Sequence, residues 1–244
     1  LIYYDGKIMD WMNGRILQAI HTDVGNVSYE YNSNGVRTAK TVNNIRTEYL
    51  RDAEDRLLGE ETQGEYLWYL YDATGKAAGY EWQGNSYYYV RNAMGDVEGI
   101  SDMEGNLLCS YYYDAWGNVT EVTGDKELAE KNSIRYRGYY YDEESGFYYL
   151  KTRYYDPEAK RFLNRDCLEN ESNLYQYCYN NPVNYSDESG MSAYSCSDRY
   201  VEIVELSGYT MSTMTIIPGG SKYMVSYFTV SYTHLRAHET SLHL

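Results

Sequence analysis

Short aromatic and β-branched runs recur along the first half of the chain, and polar turn-forming residues separate them. Two examples are residues 66–71 (YLWYLY) and 87–90 (YYYV), whose composition and flanks are those of short β-strands. Glycine, asparagine or aspartate stands between successive runs, at Gly35, Asn44, Asp55, Gly64, Gly75, Gly84, Gly95, Gly105 and Gly117. Residues 25–120 are therefore predicted to form a series of antiparallel hairpins.

These turn positions repeat, because every second one of them advances by 20 residues or slightly more. Each cycle carries the pattern Tyr-x-Tyr-(Asp/Asn)-x-x-Gly followed by a β-former, seen at residues 29–37, 69–76 and 111–119. The Asp or Asn is expected to cap backbone N–H groups, and the glycine to supply a positive φ. Repetition at this length indicates stacked hairpins that bury their faces only against neighbours.

The hairpin pattern stops at residues 124–132 (GDKELAEKN), where charged helix formers predict a loop or a short helical turn. Tyrosine-rich strands are expected again up to Tyr155, and residues 173–182 suit a short helix or turn. Beyond Met191, serine, threonine and methionine dominate. The chain begins within a Tyr-Asp-Gly pattern, so we expect it to be a fragment of a longer protein.

The amino-acid composition and net charge limit the kinds of molecule that this chain is expected to bind. The chain has 33 tyrosines and 3 phenylalanines, which suggests β-sheets whose faces are partly exposed to solvent. A net charge of −15 without any Lys/Arg cluster argues against nucleic acid as a partner. No apolar run approaches the roughly 18–20 residues that span a bilayer.

No cofactor or metal site is predicted. The four cysteines, Cys109, Cys167, Cys178 and Cys196, have spacings that match neither a zinc site nor a redox motif, so free thiols are expected. His234 and His238 have helical spacing but lack the glutamate that a zinc protease needs after the first histidine.

Two stretches carry a specific resemblance. Residues 146–162 (GFYYLKTRYYDPEAKRF) and 173–182 (NLYQYCYNNP), continued by 187–190 (DESG), resemble the RHS repeat-associated core domain. The preceding hairpins resemble the Tyr-Asp repeats of the RHS/YD-repeat family. The resemblance covers about residues 25–191 and implies an all-β fold in which a spiral sheet forms a hollow shell. The core domain would close its C-terminal end, with a variable segment, often a toxin, held inside.

The resemblance implies four parts. Residues 1–123 would be a YD-repeat shell segment and residues 134–191 an RHS core domain. Residues 192–229 would be the truncated variable segment, expected to lack a stable fold of its own. Residues 230–244 look like an artefactual tail, similar to read-through of a sequencing adaptor.

The family's core domain is similar to an intramolecular aspartic protease that cuts its own chain. On its motifs, the resemblance makes Asp166 and Asp187 the catalytic pair and Arg153 a nearby arginine. The cut would fall between Met191 and Ser192. Two carboxylates within a few ångströms share one proton, so one can deprotonate water while the other protonates the leaving amine.

Spacing alone leaves another interpretation open, in which Asp166 and Asp187 only cap turns. Three positions also depart from the family pattern: Lys160 stands for glycine, and Cys167 and Glu188 stand for prolines.

The sequence is compatible with two functions that belong to different classes of protein. The first is a shell that encapsulates its own C-terminal effector and releases it by self-cleavage. The alternative is a non-catalytic cell-surface structural or carbohydrate-binding adhesion module, whose tyrosine-rich sheet binds carbohydrate or another cell. Expected partners are the chain's own effector segment and secretion-system or cell-wall components. Either function implies a secreted or cell-surface location, with the export signal outside this chain.

Overall fold

The computed structural model describes residues 2–23, 25–166 and 173–195. These residues form three antiparallel sheets of 13, four and two strands, in which strands that follow each other in sequence are also neighbours in space. The all-β prediction is therefore confirmed.

The large sheet contains β1 (Ile2–Tyr4), β2 (Lys7–Met12), β3 (Ile16–Thr22), β4 (Gly25–Tyr31), β5 (Arg37–Val42), β6 (Ile45–Arg51), β7 (Leu57–Thr62), β8 (Glu65–Tyr71), β9 (Ala77–Trp82), β10 (Asn85–Arg91), β11 (Val97–Ser101), β12 (Leu107–Tyr113) and β13 (Val119–Gly124). Helix α1 (Lys126–Lys131) follows it. The second sheet contains β14 (Tyr140–Asp142), β15 (Phe147–Leu150), β16 (Arg153–Asp156) and β17 (Arg161–Phe162). The third pairs β18 (Tyr185–Ser186) with β19 (Tyr194–Ser195).

All nine predicted turn residues have positive φ, between 62° and 92°. Two turn types alternate. In two-residue turns such as Asn43-Asn44, both residues are left-handed, as a hairpin with the natural strand twist requires. In the longer turns an Asp or Asn side chain replaces the missing backbone partners, and Asp72 Oδ1 accepts the N–H groups of Thr74 and Lys76 at 2.8 and 2.9 Å. The predicted hairpin grammar is confirmed.

The second tyrosine of the repeated pattern binds back to an earlier hairpin. Its hydroxyl donates to a backbone carbonyl 14 to 16 residues upstream. The pairs are Tyr31–Leu17, Tyr71–Leu57 and Tyr113–Val97. Where the pattern has Arg51 instead, its Nε donates to the carbonyl of Arg37 at 3.1 Å. Phenylalanine cannot make this bond, which accounts for tyrosine at this one position of the pattern.

Helix α1 occupies the predicted break in the hairpins. Asp125 caps it by accepting the N–H of Leu128 at 3.1 Å, and Leu128 and Ala129 are buried in the main core. Further on, residues 178–180 form a turn in which all three residues have positive φ, between 49° and 58°, within the stretch predicted to be a short helix or turn.

The second sheet packs against the buried face of the large sheet through a shared apolar core, and this core encloses a buried ion pair. Two guanidinium nitrogens of Arg37 in β5 bond the carboxylate of Asp142 in β14 at 2.5 and 3.0 Å. Both side chains are almost inaccessible, at 1% and 0% exposed. The aromatic rings around the guanidinium, at 4.4 to 5.9 Å, belong to Tyr29, Tyr49, Tyr140, Tyr149 and Tyr154.

Lys40 completes this cluster, with Nζ 3.2 Å from Asp142 and 3.0 Å from Glu144. Burial opposes ionisation of Asp142, but the adjacent Arg37 and Lys40 charges outweigh it and hold the pKa of that carboxyl below its ordinary value. The buried charges are thus compensated by partners from both sheets.

Replacing Arg37 with methionine is expected to destabilise the chain by about 3–5 kcal/mol, because Asp142 would lose its bidentate partner in a dry interface. The matched control is Arg46→Met. Arg46 pairs with Glu30 and Glu48 at the surface with 42% of its side chain exposed, so its loss should cost at most about 1 kcal/mol. Urea unfolding followed by tyrosine fluorescence measures both. Equal losses would contradict a central role for Arg37.

Candidate functional site

The three predicted site residues come from the ends of different strands. Arg153 begins β16, directly after the turn formed by Lys151 and Thr152. Asp166 lies shortly after β17, and Asp187 directly follows β18. The pairing of β16 with β17 brings Arg153 near the segment that holds Asp166, and contacts of Thr152 and Arg153 with residues 189–190 bring in the loop that holds Asp187.

Arg153 joins both acids. Its Nη1 lies 2.7 Å from Asp166 Oδ2, and its Nη2 lies 3.1 Å from Asp187 Oδ2. The guanidinium is buried and lies over the Phe162 ring at 3.5 Å from its centroid. One rigid, fork-shaped cation therefore bridges the two carboxylates and fixes their relative positions.

The second carboxylate oxygen of Asp187 accepts hydrogen bonds from the backbone of the residues that follow it. Oδ1 accepts the backbone N–H groups of residues 189–192 at 2.8 to 3.3 Å, the last of them from Ser192. The N–H of Asp187 in turn donates to the Tyr139 hydroxyl at 2.9 Å. Asp187 thus caps a loop, as the turn-capping interpretation expects, and at the same time lies beside the predicted cleavage point.

Burial is the largest influence on the carboxyl of Asp187. Burial raises the pKa of its carboxyl above the ordinary value, although Arg153 and the backbone N–H donors oppose the shift. A raised pKa is what a general acid near neutral pH needs.

The predicted cleavage point lies in the connection between β18 and β19. Asp187 Oδ1 is 3.3 Å from the nitrogen of Ser192, and the Met191 side chain is 39% exposed. Ala193, just beyond, packs against a buried aromatic cluster that includes Tyr177. The bond is therefore held on both sides while facing solvent.

Only glycine fits at position 190 of this loop. Its φ is +72°, and a Cβ built there would lie 2.7 Å from the Leu150 carbonyl oxygen and 2.8 Å from Thr152 Oγ1. Both the backbone conformation and the space therefore require glycine.

The departures from the family pattern differ in their surroundings. Lys160 adopts a positive φ of 61°, a conformation that glycine takes without steric cost. Glu188 is exposed, and Cys167 lies outside the described residues, as does Cys196. Cys109 and Cys178 are free buried thiols, as expected.

The described residues contain no group of three His, Cys, Asp or Glu side chains placed to hold a metal ion. Within that same part of the chain, no helix has the length and apolar character to cross a membrane.

Sequence reasoning missed Tyr139 and Thr152, which hold the site loop from outside the acidic motifs. Thr152 adjoins Arg153 inside the recognised motif, but nothing in spacing links it to residues 189–190. That contact depends on how the β15–β16 turn meets a segment 37 residues further along.

Comparison with known proteins gives both sequence relatives and a shared fold. The chain is 40% identical over 172 residues to the tRNA3(Ser)-specific nuclease WapA of Bacillus spizizenii, and 41% identical over 172 residues to the tRNA(Glu)-specific nuclease WapA of Bacillus subtilis subsp. natto. Each match covers 67% of this chain but only 7% of the relative, so the chain spans a small part of these proteins. No family model matches.

The solved structure of TcdB2-TccC3-Cdc42 contains a chain with the same fold, at a TM-score of 0.62 and 21% identity. The match covers 76% of this chain and 10% of that one. The chain therefore shares its fold with a segment of that chain, and it is similar in sequence to a segment of the WapA nucleases.

Replacing Lys160 with glycine is expected to stabilise the chain by about 0.5–1 kcal/mol, since relief of the left-handed backbone outweighs the added chain entropy. Lys160→Ala is the control, because it removes the side chain and its approach to Trp116 while keeping the same backbone penalty. Thermal unfolding compares the two variants. A glycine variant no more stable than the alanine variant would show that this turn stores no strain.

Proposed function

We propose that the chain is the C-terminal part of an RHS/YD-repeat shell whose core domain cuts the chain after Met191 and separates a C-terminal effector from its container. The observation that carries this proposal is the contact at 3.3 Å between Asp187 Oδ1 and the nitrogen of Ser192, whose N–H donates to the carboxyl oxygen in the uncut chain. That nitrogen must gain a proton when the Met191–Ser192 bond breaks. Arg153 links the same carboxylate to Asp166, the second acid.

The proposed reaction needs only these side chains and water. Asp166 accepts a proton from a water molecule, whose oxygen attacks the carbonyl carbon of Met191. The carbon–nitrogen bond then breaks as Asp187 transfers its proton to the Ser192 nitrogen. The products are a Met191 carboxylate and a Ser192 amine, and Arg153 holds the two acids in place throughout.

The comparisons support a carrier role for this segment. Two relatives named for different tRNA targets match the chain over the same length and at nearly the same identity. A segment shared so evenly is not what selects the tRNA. We therefore infer that the effector activity, by analogy a toxic nuclease, belongs to sequence beyond the segment described here.

The proposal keeps the division into residues 1–123 as shell, 134–191 as core domain and 192–229 as the start of the variable segment. The shell is supported by the large sheet, whose one face is buried by the second sheet. Of the variable segment only residues 192–195 are described, and both its predicted lack of a fold and the artefactual tail at 230–244 fall outside the described residues. A secreted or cell-surface location, and contacts with secretion or cell-wall components, belong to the same proposal.

Self-cleavage is expected to yield a 53-residue fragment that begins at Ser192, seen by intact-mass spectrometry. Asp166→Asn and Asp187→Asn should each leave the chain whole, because either half of the acid pair is lost. Asp102→Asn, at an exposed turn of the repeats, is the control and should cut normally. Cutting that persists in both site variants would remove these acids from the mechanism, and an uncut wild type would contradict self-cleavage.

The rate should also rise as the pH falls from 8 toward the raised pKa of Asp187, since a larger fraction of that carboxyl then carries the proton to be donated. It should be independent of protein concentration, because the reaction is intramolecular. Time courses at several pH values and two concentrations measure both. A rate that grows with pH would assign Asp187 a different role.

Cutting alone is not expected to free the product. The new N-terminus would still carry Ala193, packed on the Tyr177 cluster, and β19, paired with β18. Both fragments should co-elute in native gel filtration and separate in denaturant. Separation under native conditions would show that these contacts are too weak to retain the product.

One feature favours the alternative, a carbohydrate-binding surface module. The rings of Tyr66 and Trp68 are stacked within 3° of parallel at 5.9 Å, and they are 49% and 43% exposed. Flat exposed aromatic pairs suit sugar rings. Retention of the uncut chain on a glycan array, abolished by Trp68→Ala, would support that function instead.

A further inference from the structure

The turn between β15 and β16 forms hydrogen bonds with residues 189–190, immediately before the proposed cleavage point. The Thr152 hydroxyl lies 2.8 Å from the carbonyl oxygen of Ser189 and 2.9 Å from that of Gly190. A threonine hydroxyl has a single proton, so the two carbonyls share one donor. The backbone N–H of Thr152 also points to the Ser189 carbonyl, at 3.4 Å.

The Gly190 carbonyl has a second donor, Arg153 Nε, at 2.5 Å. Adjacent residues of one tight turn, Thr152 and Arg153, therefore hold the carbonyl of the peptide that precedes Met191. On the opposite side of the loop, Asp187 holds the N–H groups of residues 189–192. The loop is thus fixed through its carbonyls by one element and through its N–H groups by another.

The fit is tight in steric terms as well. The missing Cβ of Gly190 would meet Thr152 Oγ1 at 2.8 Å, so the hydroxyl and the glycine occupy complementary space. Thr152 itself is exposed and contributes nothing to the buried cores. The Thr152 side chain therefore contributes little to the stability of the fold, and its defined contacts are those with the loop of residues 189–190.

We propose that Thr152 is a positioning residue for self-cleavage, which sets the register of residues 189–192 so that the Ser192 nitrogen lies against Asp187. This inference rests on the proposed function. The hydroxyl does not reach the reacting atoms. It acts by holding the upstream carbonyls, and a displacement of about 1 Å at the cut bond would slow the reaction by up to about 100-fold.

The first experiment compares a variant that keeps the shape of Thr152 with one that keeps its hydroxyl. Thr152→Val removes the hydroxyl and should slow cleavage by about tenfold or more, with additional product termini near Ser192. Thr152→Ser keeps the hydroxyl and should remain within about threefold of wild type. Both should unfold at the wild-type temperature because the residue is exposed. Equal rates and a single product terminus in the valine variant would overturn the proposal.

The second experiment does not need cleavage. In the Asp166→Asn background, hydrogen–deuterium exchange is measured for the amides of residues 189–192. Thr152→Val should accelerate their exchange by about tenfold and Thr152→Ser should not, while residues 66–71 remain unchanged as an internal control. Unchanged exchange at 189–192 in the valine variant would overturn the positioning role. An uncut wild type would refute the proposed function alone, and the exchange result would still decide whether Thr152 holds the loop.

Discussion

The buried Arg37–Asp142 pair is the interaction on which the rest of the structure depends. It joins the fifth strand of the repeat sheet to the first strand of the second sheet, which carries Arg153 and so the candidate site. Such a pair is costly unless every donor and acceptor finds a partner. Here a bidentate contact, a second cation at Lys40 and a surround of tyrosine rings offset most of that cost, while the Arg37 Nε finds no hydrogen-bond partner among the described residues. Docking of the two sheets is thereby limited to one geometry, because a shifted sheet would leave a charge unpaired in a dry interface.

Tyrosine solves two problems for this fold at once. Its ring fills the interface between sheets, as in the contacts of Tyr29 with Tyr154 and Tyr49 with Tyr140 at about 5.5 Å. Its hydroxyl bonds a carbonyl of an earlier hairpin, so each repeat is tied to its predecessor as well as paired with it. The substitution of Arg51 for tyrosine at one such position preserves the contact. Arg91 holds the corresponding position of a later copy, but its buried Nε finds no hydrogen-bond partner among the described residues, so a terminal donor permits this contact without ensuring it.

The two interpretations of the acids, turn-capping and catalytic, are compatible at Asp187. One oxygen caps the loop of residues 189–192 and the other pairs with Arg153. The cap is what places the Ser192 nitrogen within reach of the carboxyl, so the structural contact is the precondition for the proposed chemistry. Asp166 is held differently, by the same guanidinium but from the segment after β17. A single arginine thus couples a capping acid to a second acid that approaches from another strand.

The sequence by itself determined the hairpins, their turns and the identity of the three site residues. Turn conformation depends on neighbouring residues, so the roles of Gly75 and Asp72 in their turn could be predicted from a few adjacent residues. The three site residues were identified through the motifs of the family that the chain resembles. Only the tertiary structure decided that Arg37 meets Asp142 across 105 residues, that Arg153 bridges the two acids, and that Thr152 holds the loop at Gly190. These contacts arise where separate sheets and turns meet. Their geometry depends on how whole elements dock, which no local pattern of residues encodes.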